Sequence, residues 1–220
     1  MTNLVARIDH TLLKPEAMQT DIRKLCEEAI RLPFATVCVH SFWAPYVENI
    51  LRGTERTICC VVGFPTGIHP ADVKAQEAIW AVQNGAREID MVWNIGAVKS
   101  GDWKSVEIDV RSVVHAVAPL PVKVILETAL MTPVEIRQGC EICGEAGAAF
   151  VKTSTGFHAC GGATIEAVRL MRECAGDAMG VKASGGIRDI PTALAMIAAG
   201  ANRIGTSSGV AIASFLSESH

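Results

Sequence analysis

The stretch Ala149-Phe150-Val151-Lys152-Thr153-Ser154-Thr155-Gly156-Phe157 puts a lysine at the exit of a short apolar run, directly before a turn of small and polar residues. An ordinary solvent lysine has no reason to sit at the end of a buried strand, so Lys152 is a candidate for chemistry. The pattern recurs at Met179-Gly180-Val181-Lys182-Ala183-Ser184-Gly185-Gly186, again an apolar run, a lysine and a small-residue turn. The two lysines are expected to share one pocket.

Outward from these two stretches, apolar and often β-branched runs recur at 5–9, 35–40, 57–63, 88–93, 122–127, 150–153, 180–183 and 203–205. Helix-period segments lie between them, at 20–31, 43–51, 71–84, 103–118, 133–146, 163–173, 190–199 and 208–216. In the first of these, Ile22, Leu25, Cys26, Ala29 and Ile30 form an apolar stripe and Thr20 is placed to cap the helix. Helices are expected to end at Asn84-Gly85, Ala146-Gly147 and Ala199-Gly200, each followed by alanine and then a strand. Eight strand–helix units predict an α/β fold, a (β/α)8 TIM barrel, with residues 1–220 forming one catalytic domain. An open doubly wound sheet is the alternative. It would call for a Gly-rich phosphate loop after the first strand, and neither GxGxxG nor GxxxxGK[ST] occurs there.

Half of the 220 residues are hydrophobic and 20% are charged, enough for a sizeable single core. A formal net charge of -3 without a basic run argues against a nucleic-acid or acidic-membrane surface, leaving small molecules as the expected partners. The first residues lack a basic-then-apolar leader pattern and no apolar run reaches the roughly 18 residues of a membrane span, so a cytoplasmic protein is expected. The eight cysteines mostly fall within apolar periodic segments, and reduced, buried thiols are expected. Cys140 and Cys143 have half-site spacing but no partner motif, and the histidines lack ligand spacing, so no metal is expected.

In a barrel of this kind, side chains at the C-terminal strand ends converge. Here those are Asp9, Thr11, Cys38, His40, Asp90, Asn94, Glu127, Thr128, Lys152, Lys182, Ser207 and Ser208. Asp90 alternates with Ile89 and Met91, so it points into the barrel if those two face the helices. Buried acids need compensation, and the two lysines could supply it for Asp90 and Glu127. Glu127 competes with Asp90 for acid/base work or else holds a lysine in place.

A lysine pair suits imine formation. With a reference pKa of ~10.4, only about one amine in a thousand is free at neutral pH, and making it nucleophilic calls for about 4 kcal/mol. A second ammonium about 4 Å away, at an effective dielectric of about 20, contributes a similar amount, so either lysine could activate the other. An aspartate within reach would move protons for the carbinolamine and the substrate hydroxyl. Opposite it, Gly185-Gly186, the Gly205-Thr206-Ser207-Ser208 segment and Gly156 offer backbone donors after the last strands, the usual place for a phosphate in this fold. A metal-dependent sugar-phosphate barrel would need histidine and carboxylate ligands instead of lysines, and a phosphate-binding protein would use the lysines only as cations.

The runs Ile8-Asp9-His10-Thr11-Leu12-Leu13-Lys14-Pro15, Val61-Val62-Gly63-Phe64-Pro65, Glu88-Ile89-Asp90-Met91-Val92, 150–157, 180–188 and 203–208 resemble, in order and spacing, those of the deoxyribose-phosphate aldolase family. The resemblance implies a cofactor-free, metal-free class I lyase that cleaves 2-deoxy-D-ribose 5-phosphate to D-glyceraldehyde 3-phosphate and acetaldehyde. It implies that Lys152 forms the Schiff base, that Lys182 tunes and assists it, and that Asp90 gives and takes protons. Thr11, Cys38, Thr153, Gly156, Gly185, Gly186, Ser207 and Ser208 would bind the substrate, and a homo-oligomer, a dimer, would be the working unit. Some positions depart from that pattern: His40 stands where asparagine is usual, Trp93 where smaller aliphatic residues are frequent, and Phe157-His158-Ala159-Cys160 replaces a more Gly/Pro-rich turn. Some members end in a tyrosine that aids proton transfer, whereas this chain ends Phe215-Leu216-Ser217-Glu218-Ser219-His220 and its one tyrosine is Tyr46.

Overall fold

A computed structural model describes residues 2–217. In chain order it runs α1 (Thr2–Val5), β1 (Ile8–Thr11), α2 (Gln19–Arg31), β2 (Thr36–His40), α3 (Ala44–Leu51), β3 (Thr57–Val62), α4 (Ala71–Gln83) and β4 (Glu88–Val92). The second half continues with α5 (Ile95–Lys99), α6 (Trp103–Val117), β5 (Val122–Ile125), α7 (Pro133–Glu145), β6 (Phe150–Lys152), α8 (Ile165–Ala175), β7 (Gly180–Ser184), α9 (Ile190–Ala198), β8 (Arg203–Thr206) and α10 (Gly209–Ser217). All eight strands are parallel and form one closed barrel in sequence order, with β1 sealing against β8 through Ile8↔Ile204 and Asp9↔Gly205. The expected (β/α)8 barrel is therefore the fold, and the open sheet is not.

Strand alternation sorts the residues onto two faces. Ile8, Val37, Val39, Ile58, Cys60, Val62, Ile89, Met91, Val122, Val124, Val151, Val181 and Ile204 belong to the large apolar cluster that includes helix residues such as Ile22, Val110 and Met171. That layer between barrel and helices carries most of the hydrophobic stabilisation, about 1.5–3 kcal/mol for each fully buried aliphatic side chain. The inner face differs. It holds a small apolar cluster of Leu13, Cys38, Cys59 and Val61 with Phe64 packed on it, and beside that cluster the charged side chains of Asp9, Asp90, Lys123, Lys152 and Lys182 are buried. Register lines those charges up in a belt: Asp90↔Lys123, Lys152↔Lys182 and Lys182↔Arg203 are all paired positions on neighbouring strands.

Local details correct the sequence expectations in places. Helix α2 begins at Gln19, one residue before Thr20, because Asp21 reaches back to accept the Met18 N–H at 2.9 Å and so does the capping. Val5 belongs to α1 and not to the first strand. The five-residue helix α5, too short to show a stripe, is set by Asn94, whose side chain accepts the Ala97 N–H. The glycines at 85, 147 and 200 all have positive φ, as expected of helix-stopping positions. All eight cysteines are free, six of them buried, with Cys160 exposed and Cys174 half-buried. Burial, reinforced by neighbouring Cys174, pushes the Cys140 thiol up to about 12, which suits an inert packing residue. The C-terminal residues Glu218-Ser219-His220 lie outside the described residues.

Candidate active site

Asp90 sits on β4 at the centre of the barrel with none of its surface exposed. Both its oxygens are crowded by cations. Lys152 from β6 and Lys182 from β7 donate to the same oxygen, Oδ2, at 2.7 and 2.6 Å. Lys123 from β5 donates to Oδ1 at 2.8 Å and contacts Glu88 Oε2 at 2.6 Å, while the Cys59 thiol also donates to Oδ1 at 3.1 Å. On its far side Lys182 pairs with Asp9, which in turn accepts from Arg203, and Arg203 reaches Glu88 at 3.1 Å. The two amines meet on one carboxylate oxygen and so lie close together, but of the two it is Lys152 that also lines the cavity above, while Lys182 is fully buried.

This buried cluster fixes most of its own charges. Burial favours the neutral form of Asp90, but Lys123, Lys152 and Lys182 outweigh it and hold the carboxyl well below the usual carboxylate range. Asp9 is likewise held low, with burial outweighed by Lys182, Lys123 and Arg203. Burial disfavours the Lys182 ammonium, yet Asp9 and Asp90 overcome it and keep the group above the ordinary lysine range. Lys123 is pushed well above that range in the same way, burial being overcome chiefly by Asp90. The simple two-lysine couple drawn from the sequence is thus incomplete: an anion lies between the two amines, and a second anion backs Lys182.

Above Lys152 the barrel opens into a cavity of about 390 Å³. Thr11, Gly156, Gly185, Gly186 and Ser207 line it as expected, joined by Thr155, Lys14 and Arg188. Gly156, Gly185 and Gly186 have φ of 83, 87 and 81°, a region that disfavours any side chain, so their backbone can face the cavity closely. Gly205 performs a different service: a Cβ there would stand 3.1 Å from Lys182 Cε, so its absence makes room for that lysine.

Other expected residues lie elsewhere. Thr153 is fully buried with its hydroxyl donating to the Ser184 carbonyl at 3.0 Å, a tie between β6 and β7 instead of a cavity wall. Cys38 is sealed in the inner apolar cluster beneath the mouth. Ser208 lines a neighbouring groove with His10 and Glu28, and its N–H is taken by Thr206 Oγ1 at 2.9 Å. His40 contacts the Leu13 carbonyl through Nε2 at 3.0 Å and meets Phe64 edge-on. Trp93 points outward against Gly139, where a Cβ would approach the indole to 2.6 Å, so that departure leaves the cavity untouched. Glu127 holds no lysine: it accepts from Thr155, through N–H and O–H. Thr128 is buried beside it.

Sequence reasoning passed over Lys123, Glu88 and Arg203. The signal was present in Val122-Lys123-Val124, a charge alternating with valines as Asp90 does with Ile89 and Met91. Cys38, Cys59 and Asp90 bring ligand atoms within 4.8 Å of one another. That donor set suits a dication poorly, because the Lys123 ammonium already lies against both Cys59 Sγ, at 3.4 Å, and Asp90.

The chain is similar to known proteins over nearly its whole length. The model of the DeoC/LacD family aldolases matches residues 4–214. A deoxyribose-phosphate aldolase of Methanothermobacter thermautotrophicus is 54% identical over 209 residues, covering 95% of this chain and 93% of its own. One from Brevibacillus brevis is 51% identical over 210 residues, covering 96% and 95%. Among solved structures, the aldolase QR15 superposes with a TM-score of 0.95 at 41% identity, covering 100% of this chain and 98% of its own. A tetrameric deoxyribose phosphate aldolase from Aeropyrum pernix gives 0.92 at 33% identity, covering 100% and 94%.

Proposed function

This chain belongs to the DeoC/LacD aldolase family, and from that premise we propose that it is a lyase reversibly cleaving 2-deoxy-D-ribose 5-phosphate to D-glyceraldehyde 3-phosphate and acetaldehyde. The observation that carries the reading is the sharing of Asp90 Oδ2 by the amines of Lys152 and Lys182, at the floor of a glycine-walled cavity. Lys152 is the nucleophile because it is the lysine of the cluster that lines that cavity. Asp9, Asp90 and Glu88 already balance Lys182, Lys123 and Arg203, so the cluster stays neutral when Lys152 is a free amine.

The Lys152 amine adds to the C1 aldehyde of the open-chain sugar, and a proton delivered through the Asp90, Lys182 and water relay lets the carbinolamine lose water as the protonated imine. Forming it takes one donor off Asp90 Oδ2 and frees that oxygen to hold a water. The relay of Asp90, Lys182 and water accepts the C3 hydroxyl proton as the C2–C3 bond breaks, and the electron pair flows into the imine to give the enamine. Glyceraldehyde 3-phosphate departs, C2 takes a proton, and water releases acetaldehyde from Lys152. Gly156, Gly185, Gly186 and Ser207 receive the phosphate, with Arg188 and Lys14 at the rim supplying positive charge.

No described helix is long and apolar enough to cross a membrane, in keeping with the proposed cytoplasmic enzyme of deoxyribose phosphate breakdown. We propose a homo-oligomer, a dimer. The reaction is tested by supplying the purified chain with 2-deoxyribose 5-phosphate and following glyceraldehyde 3-phosphate with a coupled dehydrogenase, in the presence of EDTA. Turnover under those conditions is expected; its absence, with the sugar phosphate unconsumed, overturns the assignment.

A further inference from the structure

Glu127 takes no part in the steps above, although it stands at the exit of β5 beside the reacting lysine. It is 1% exposed, and among the described residues it is the one non-glycine with positive φ, at 51°. The described structure gives its carboxylate no cationic partner. Instead both oxygens face one residue: Thr155 N–H lies 3.2 and 3.3 Å from Oε1 and Oε2, and Thr155 O–H donates to Oε2 at 2.5 Å. The Thr155 hydroxyl in turn accepts the Phe157 N–H at 3.1 Å. Next to Glu127, Leu126 N–H and Thr128 N–H hold the carbonyls of Lys152 and Thr153 at 2.9 and 2.8 Å.

One short segment therefore grips the whole path from Lys152 to Phe157. The N–H groups of Thr155 and Phe157 are used inside the grip, and Gly156, between them, lines the cavity against Gly185 with its own N–H unpaired among the described residues. From this we infer that Glu127 is a positioning residue: through Thr155 it aims the Gly156 N–H at the anionic end of the substrate and so sets the preference for a phosphorylated sugar. The inference rests on the reading of the glycine-walled cavity as the phosphate site. It gives Glu127 a role distinct from acid/base catalysis, because none of its oxygens touches an amine of the cluster.

The test compares wild type, Glu127→Ala, Glu127→Gln and Thr155→Val on 2-deoxyribose 5-phosphate and on unphosphorylated 2-deoxyribose, with borohydride trapping of acetaldehyde as a reading of Lys152 alone. Losing this hydrogen-bonded anchor should raise KM for the phosphorylated sugar about tenfold in Glu127→Ala and in Thr155→Val, with partial recovery in Glu127→Gln. Activity on the unphosphorylated sugar and the trapping rate should stay within about twofold, and the Glu127→Ala/Thr155→Val double variant should lose no more than either single one. Equal losses on both sugars would assign Glu127 to catalysis or to folding and overturn the inference. Unchanged KM in Thr155→Val, which keeps the carboxylate, would overturn it even where Glu127→Ala does not fold. A wild-type chain that treats the two sugars alike would overturn the phosphate reading itself, and the inference with it.

Discussion

Two buried lysine–aspartate systems lie on opposite sides of the same sheet. Outside it, Lys74 on α4 donates to Asp109 on α6 at 2.7 Å and to the Val92 carbonyl at 2.9 Å, while Asp109 also accepts the Asn94 N–H. The pair is one cation to one anion, hidden from solvent, with Gly63 leaving space for the lysine stem. Inside, three lysines converge on one aspartate and one of them opens into a cavity. The electrostatics run in opposite directions. Burial pulls Lys74 down and pushes Asp109 up, each only partly offset by its partner, whereas in the barrel the partners overcome burial, so that Asp90 falls and Lys182 rises. A closed pair serves to tie the end of β4 to the helices; a cluster with one amine beyond its anions can lend that amine to chemistry.

The sharpest break between the two is Lys152→Ala, expected to lower kcat by about 10⁴-fold or more while leaving thermal unfolding nearly unchanged. Steady-state turnover within tenfold of wild type would remove Lys152 from the chemistry. Asp109→Ala should do the reverse, leaving Lys74 buried and unpaired at a cost of about 3–5 kcal/mol in denaturant unfolding, with kcat within about twofold at a temperature where the variant is folded. Lys182→Met should slow imine formation about 10²-fold and move the acidic-side pKa of kcat/KM, where Lys152 must lose its proton, upward, since a neighbouring positive charge is gone. A pH profile identical to wild type would show that Lys182 does not tune the reacting amine.

The smallest effect concerns acid. Asp9 and Asp90 are held below their unfolded values, so the stability they contribute is present above about pH 4 and is lost as pH falls through the folded values. Asp109 is raised, so its folded form takes up a proton first and partly offsets that loss. Replacing the outer pair as Lys74→Met/Asp109→Leu should therefore steepen the fall of Tm between about pH 5 and 3, by an amount worth on the order of 1 kcal/mol. A Tm curve parallel to wild type would mean that Asp109 stays ionised throughout.

Much of this was legible in the chain because strands announce themselves by β-branched runs and, at Gly85, Gly147 and Gly200, by a glycine that ends the helix before them. Asp90 could be aimed inward from its neighbours Ile89 and Met91, which do join the outer apolar layer. Lys123 obeyed the same rule and was missed, because a single lysine among valines is also what a side chain reaching for solvent looks like. Only the register Asp90↔Lys123, a long-range fact, distinguishes the two cases. Glu127 misled for a local reason. A carboxylate at a strand exit suggests acid/base work, but its left-handed backbone takes it out of strand alternation and onto Thr155. Thr153, Cys38 and Ser208 show the same limit, since proximity in sequence to the cavity does not say which way a side chain turns.

The most direct measurement is borohydride reduction of the protein with acetaldehyde, followed by digestion and mass mapping of the modified lysine. A single ethyl group on Lys152, formed faster than on any other lysine and absent from Lys152→Ala, is the outcome required of an amine left over by a balanced cluster. An ethyl group placed instead on Lys182 or Lys123, or none anywhere in a protein that turns over substrate, would contradict it.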